Sequence, residues 1–284
     1  MITILAFIVL AGVTLAAYFM PFNGNNVLTL EMKFPNLISG PAFTWYFYFI
    51  ALLSLALFTK FQAGNVEYPD SISAKTLDTL GWLPAGLALF YSLATVFMHY
   101  ENFGLTIAFL VISAIILMIA NGNIRDNEVV MAEKFWVRNP FSLFLGWVLY
   151  LLMGNIAMGW NQTFAQETPA LILFLIFLAF VLYFAYANMN IGLPIYWILI
   201  LLMKQFQNSG SQMLMTGIWV GIALLLISIF QIARKDRRRH SYRKPVTEAM
   251  DKFNYGEESQ LKKLEEELNE ELKTKPGARI NLRS

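Results

Sequence analysis

The chain of 284 residues contains no cysteine and only two histidines, and charged residues make up 14 % of it. Without cysteine there is no disulfide, no thiolate nucleophile, and no iron–sulfur or cysteine–zinc site. His99 closes an apolar stretch and His240 sits in a basic segment, so the chain lacks the imidazole pair of a membrane-buried bis-histidine haem. The low charge content lies far below the roughly 25 % of a soluble globular domain. The first residues, MITILAFIVL, also lack the positive charge that opens a signal peptide, and they read as a retained transmembrane helix.

Catalytic signatures are scarce as well. There is no HExxH, no GxSxG, no phosphate-binding glycine loop and no paired-aspartate metal cluster. The 19 Asp and Glu fall in loops, at the edges of apolar stretches or in the tail, and no Lys or Arg stands in the middle of a span. Pumps and ion-coupled carriers place such groups inside the bundle, because moving charge requires them. Neither an enzyme nor a proton-coupled transporter is expected, and no metal or covalent cofactor site is evident.

What remains is strongly apolar: 57 % of the residues are hydrophobic and 15 % aromatic. Stretches near the ~20 residues that span a hydrocarbon core recur along the chain. Hydropathy and Pro/Gly punctuation predict eight helical spans, approximately Ile2–Met20, Phe43–Lys60, Leu80–Met98, Phe103–Ala120, Pro140–Trp160, Pro169–Ala187, Ile191–Phe206 and Met213–Ile232. The seventh is short and carries Pro194 near its start. Positive charge supports the count. With the N-terminus cytoplasmic, the inner loops hold Lys60, Lys75, Arg125, Lys134 and Arg138, and the outer ones only Lys33 and Lys204. Both termini are thus expected on the cytoplasmic side of a membrane such as the bacterial cytoplasmic membrane.

The tail changes character twice. Of the 21 Lys and Arg, fourteen follow Ala233, and ARKDRRRH forms a basic block beside the last span. Further on, Leu261, Leu264, Leu268 and Leu272 make an amphipathic stripe, which is a solvated helix or a short partner-binding one. The net charge of +2 hides this basic-then-acidic tail, and no nucleic-acid partner is expected.

The spans hold aromatic and amide chemistry in place of charge. FTWYFYF, Phe43–Phe49, is aromatic at six of seven positions, and Trp82, Tyr91, Trp147, Trp160, Tyr196 and Trp197 follow. Trp82, Trp160 and Trp45 stand near span ends, where interfacial tryptophans collect. The fifth span, RNPFSLFLGWVLYLLMGNIAMGWN, is the most individual. Pro140 suits a helix start, Arg138 is expected among the cytoplasmic headgroups, and Ser142 with Gly146 forms a small pair that lets another helix approach. Trp147 and Asn155 are eight residues apart, about 80° around a helix, so they share one broad face. An amide in hydrocarbon needs a partner, which is another helix or a ligand. GIWVG in the last span, with Gly217 and Gly221 on one face, invites a close helix from the same chain or from a second copy.

PFSLFLGW followed by Asn155 resembles the fifth-helix signature PFSxYxGWxxxAxxxN of the tryptophan-rich sensory proteins, the TspO/MBR or translocator-protein family. FPNLIS before the second helix, and the His99–Tyr100 pair in FMHYENFGL between the third and fourth, are similar to family segments at the same places. The resemblance covers about residues 1–161. It implies an all-α membrane fold with a five-helix bundle over 1–161; the three further helices over 162–233 and the cytoplasmic tail over 234–284 lie outside it. It also implies an aromatic-lined cavity closed by the first loop, Pro21–Gly40, that takes a porphyrin or another flat hydrophobic molecule. The family's second-helix Trp falls at Tyr48 or Phe49, and its third-helix Asn and Trp fall at Tyr91 and Ala94. The expected ligand-binding residues are therefore Trp45, Tyr48, Phe49, Tyr91, Trp147 and Asn155.

Three functions stay open on these residues. One is a membrane sensor or receptor for a flat apolar ligand, with a tetrapyrrole first among candidates. The second is a structural or assembly subunit whose aromatics only pack helices, and the third is a lipid or metabolite transporter without ion coupling. Membrane lipids are expected partners, and a homodimer through the Gly217/Gly221 helix and the Leu261–Leu272 stripe is a further one.

Overall fold

The computed structural model describes residues 2–38, 45–65, 78–127, 138–205 and 211–251. Among them the regular structure is helical: α1 (Ile2–Phe19), α2 (Val27–Lys33), α3 (Trp45–Asn65), α4 (Leu83–His99), α5 (Phe103–Asn127), α6 (Asn139–Gly159), α7 (Asn161–Phe164), α8 (Glu167–Ala187), α9 (Gly192–Gln205) and α10 (Gln212–Asp251). Apart from the short α2 and α7, these correspond to the eight predicted spans. Contacts divide the chain into one unit of Met1–Ile232 and another of Ala233–Ser284. The Leu261–Leu272 stripe lies outside the described residues.

Among the described residues, four segments are long and apolar enough to cross a membrane: Phe103–Arg125, Asn139–Gly159, Glu167–Ala187 and Gln212–Lys235. Ile4–Phe19, Tyr46–Lys60, Leu83–His99 and Gly192–Lys204 are shorter apolar helices. The outward faces are apolar too. Leu5 and Ile8 on α1, Ile115 and Ile119 on α5, Ile176 on α8, and Leu226 and Phe230 on α10 are all exposed. Such a surface suits lipid and would drive aggregation in water. The chain is an all-α integral membrane protein.

α6 is the axis of the bundle. Within its apolar span 78 % of the residues are buried, against 33 % for α5 and for α10. It packs on α5, α3, α9 and α8, while α4 fills the space between α1 and α5. Pro140 stands in its first turn, where a missing N–H breaks no helical bond. Gly146 explains how α9 comes close. A Cβ there would lie 2.6 Å from Tyr196 Cδ1 and 3.3 Å from Leu193 Cδ1, so only glycine admits that ring. At the same end, Gly192 faces Asn139 and Ser142, and α9 therefore runs parallel to α6. In α10, Gly217 and Gly221 meet Leu171, Phe174 and Leu178 of α8, so the face they share is occupied within the chain.

Arg138 lies at one end of the bundle. It is buried, 3 % exposed, and its guanidinium donates to Asn188 O in the turn between α8 and α9. Beside it Ser142 Oγ donates to Asn121 Oδ1 at 2.8 Å, and Asn190 Nδ2 donates to the same oxygen at 3.1 Å. Desolvated polar groups at a bundle end persist because each finds such partners.

The opposite end of the bundle is covered by residues 20–38. Asn23 and Gly24 take left-handed backbone angles (φ 53° and 74°) that turn the chain back, and Asn26 caps α2 through Thr29. Asn25 Nδ2 donates to His99 O at 3.0 Å and to Glu101 Oε1 at 2.8 Å. Lys33 pairs with that same carboxylate at 2.5 Å. Phe34 meets Phe103 edge to face, Leu37 N donates to Phe164 O at 3.1 Å, and Lys204 Nζ donates to Ile38 O at 2.5 Å.

Candidate functional site

The aromatic centre forms where α3, α4 and α6 meet. Trp147 and Tyr91 are completely buried and Tyr48 is 1 % exposed. Trp147 Nε1 donates to Tyr91 Oη at 2.9 Å. An indole N–H in an apolar interior needs such an acceptor, since leaving it unpaired costs about 1–3 kcal/mol. Tyr48 and Tyr91 lie parallel to within 4°, with ring centroids 6.1 Å apart, and Trp147 is tilted against Tyr48 at 5.6 Å. Phe144, one turn before Trp147, meets Tyr91 edge to face at 5.0 Å, and Tyr150 meets Trp147 at 5.8 Å. The register of α6 produces this arrangement: positions 144, 147 and 150 or 151 recur every three to four residues and return to one side of the helix.

α9 closes the far side. Tyr196, seated on Gly146, donates its hydroxyl to Phe47 O of α3 at 2.7 Å, and its ring meets Phe47 edge to face at 6.1 Å. One side chain thus ties α3, α6 and α9 around the rings.

The structure brings Tyr48, Tyr91 and Trp147 into direct contact. Phe49 is half-buried at the edge, 5.8 Å from Tyr48 and 5.6 Å from Tyr18. Trp45 opens α3, and its side chain lies outside the described residues. Asn155 is completely buried two turns beyond Trp147, about 12 Å along the axis. Its amide finds a partner other than those expected: Nδ2 donates to Leu151 O of its own helix at 2.9 Å, with no bond to a neighbouring helix. Oδ1 is buried without a hydrogen-bond partner. The shared face of Trp147 and Asn155 carries less meaning than their spacing suggests, because α6 is buried on nearly every side.

Tyr48, Tyr91, Phe144 and Trp147 are in ring contact with one another. A small apolar void of about 20 Å³ lies among α1, α3, α4 and α6, lined by residues that include Phe7, Leu10, Phe58, Leu87 and Phe141, and it has room for about one water. A wider cleft of about 500 Å³ opens at the loop-covered end between Tyr100, Glu101, Phe103 and Trp160. Trp82 and Trp160 are both exposed.

Two carboxyls near the loop titrate away from their ordinary range. Burial pushes Glu31 on α2 up to about 8, against the pull of the Lys204 ammonium. Hydrogen bonds from Lys33 and Asn25 hold Glu101 below the usual carboxylate range.

Phe144, Tyr196 and Lys204 belong to this region, and sequence reasoning did not single them out for it. Gly146 was the available signal for Tyr196, because a helix that close needs a ring to fill the notch. Nothing local signals Lys204, whose partner lies 166 residues away in sequence.

A family model described as TSPO-like protein matches residues 1–231, past the 1–161 that carry the recognisable motifs and through α8, α9 and the apolar part of α10. No curated protein and no solved structure matches the chain.

Proposed function

The chain belongs to the TSPO-like protein family, and from that premise we propose that it is a membrane receptor for a flat hydrophobic molecule. The ligand binds beside Trp147 and is oriented by Asn155, and a porphyrin or another tetrapyrrole is the first candidate. The observation that carries the reading is the Asn155 carboxamide oxygen, buried with no donor. Such an acceptor costs about 1–3 kcal/mol in an apolar interior. Leucine would fill the site without that penalty, so the amide suits a partner that comes and goes. The neighbouring rings supply stacking area, and a polycyclic ligand spanning two helical turns, about 11 Å, reaches from Trp147 toward Asn155. Binding then parts Tyr48 from Tyr91 and Trp147, which it meets through ring contacts.

A second reading has its own support. The rings pack on one another, as in a subunit that only needs a rigid core. Titration of the detergent-solubilised protein with protoporphyrin IX separates the two. Tryptophan emission is expected to fall saturably, beyond that of empty micelles carrying free tryptophan. Trp147→Leu should weaken binding about fivefold, the ~1 kcal/mol of one aromatic contact, and Asn155→Leu should weaken it comparably. Absence of saturable binding supports the structural subunit. Saturable binding that neither substitution changes places the ligand elsewhere.

A further inference from the structure

Residues 20–38 are held across the end of the bundle by bonds to the backbone, Asn25 Nδ2 to His99 O and Leu37 N to Phe164 O, and by two contacts of charged groups that differ in exposure. Asn25 and Lys33 both reach Glu101 at the surface, where the Lys33 and Glu101 side chains are 54 % and 27 % exposed. Exposed pairs of this sort contribute little, because water replaces either partner. The contact from α9 differs. Lys204 is 4 % exposed, and its ammonium donates to Ile38 O, itself on a residue 1 % exposed. Lifting the loop breaks a charge-assisted hydrogen bond formed out of water, and such a bond holds more firmly than an exposed pair. Glu31, on α2 of the same loop, adds electrostatic attraction to Lys204 only where it is ionised, above about pH 8. Ile38 O thus fastens the loop to one side chain of α9.

The position of that side chain matters. α6 and α9 run parallel and touch at Gly146 and Tyr196. Asn155 lies nine residues beyond Gly146, and Lys204 eight beyond Tyr196. At 1.5 Å per residue both stand about 12–14 Å above the ring contact. The loop is thus fastened at the level of the Asn155 amide. The fastening comes from a helix outside the five that carry the aromatic centre and the motif residues.

We propose that Lys204 is a latch by which α9 holds the first loop closed over the aromatic centre and so sets how fast a ligand enters and leaves. The ligand half of this rests on the receptor reading above, and the loop half stands without it. α8 and α9 acquire a role by this reading, because together they carry the latch to the loop.

The absence of cysteine makes the test direct. Leu30, on α2 and 1 % exposed, becomes a reporter of loop opening as Leu30→Cys, read by its labelling rate with a water-soluble maleimide. Adding Lys204→Met should raise that rate about tenfold or more, whereas adding Lys33→Met should change it by about twofold or less. Leu117→Cys, at a completely buried position of α5, serves as the control and should stay slow in both backgrounds. In stopped-flow quenching, Lys204→Met should speed both association and dissociation of protoporphyrin IX. Equal labelling with and without Lys204→Met overturns the latch, as does a parallel rise at Leu117→Cys, which reports loosening of the whole bundle. Faster Leu30→Cys labelling on adding Lys204→Met, in a protein that binds no porphyrin, overturns the receptor reading and leaves the loop latch standing.

Discussion

Asn155 and Trp147 solve the same problem, a polar atom among hydrocarbons, in opposite ways. Trp147 Nε1 has Tyr91 Oη within 2.9 Å, while Asn155 keeps one amide hydrogen bond and leaves its oxygen unpaired. The two therefore respond differently to substitution. Trp147→Phe opens a gap and strips Tyr91 of its donor, so it should destabilise the protein by about 2–3 kcal/mol. Asn155→Leu removes an unpaired acceptor at similar volume and should leave stability unchanged or raise it by about 1 kcal/mol, while weakening the ligand. Thermal loss of the monodisperse peak in size-exclusion chromatography measures both. A large destabilisation by Asn155→Leu would show that the amide is structural. At this scale the sequence was informative wherever one residue carried its own chemistry: a tryptophan in mid-span, or an amide in hydrocarbon. It was silent on Lys204, because burial of that ammonium is decided by a loop folded over the helix end.

Helix packing turns on how firmly the neighbour of a glycine is held. Gly146 and Gly217 look alike in sequence, and a Cβ at either would come within 2.6 Å of a neighbouring side chain. The neighbour of Gly146 is the ring of Tyr196, fixed at its far end by the hydrogen bond to Phe47 O. The neighbour of Gly217 is the tip of Leu171, which has other rotamers available. Gly146→Ala should therefore destabilise by about 1–3 kcal/mol, and Gly217→Ala by less than about 1 kcal/mol. Equal effects in the same chromatographic assay would mean that Tyr196 moves freely. The Ser142/Gly146 pair correctly announced a close helix, though its identity as α9 depended on folding across 50 residues. The glycines of α10 face α8, so a second copy bound to this helix would use its outward residues, such as Trp219, Val220 and Phe230.

For the whole molecule, periodic apolar stretches told most of the story, because a chain in lipid satisfies its backbone only as helices. Their lengths were harder to read. α9 has 14 residues, about 21 Å, short of the ~30 Å of a hydrocarbon core. Lys204, near its end, lies beneath the first loop, and hydropathy alone does not foresee that. Eight crossings with both termini cytoplasmic are expected from the Lys and Arg asymmetry. Reporter fusions after Arg239 and within 23–26 should then report opposite sides of the membrane, and the same side for both would remove one crossing. The central claim is that a flat ligand stacks in the aromatic centre, and the protein labelled with 5-fluorotryptophan tests it most directly. Ring-current shifts act only at contact range, and Trp147→Phe assigns the resonance among the seven tryptophans. Titration with protoporphyrin IX should shift the Trp147 fluorine signal saturably while the exposed Trp82 and Trp160 stay in place. Saturable binding with an unmoved Trp147 resonance would contradict the account.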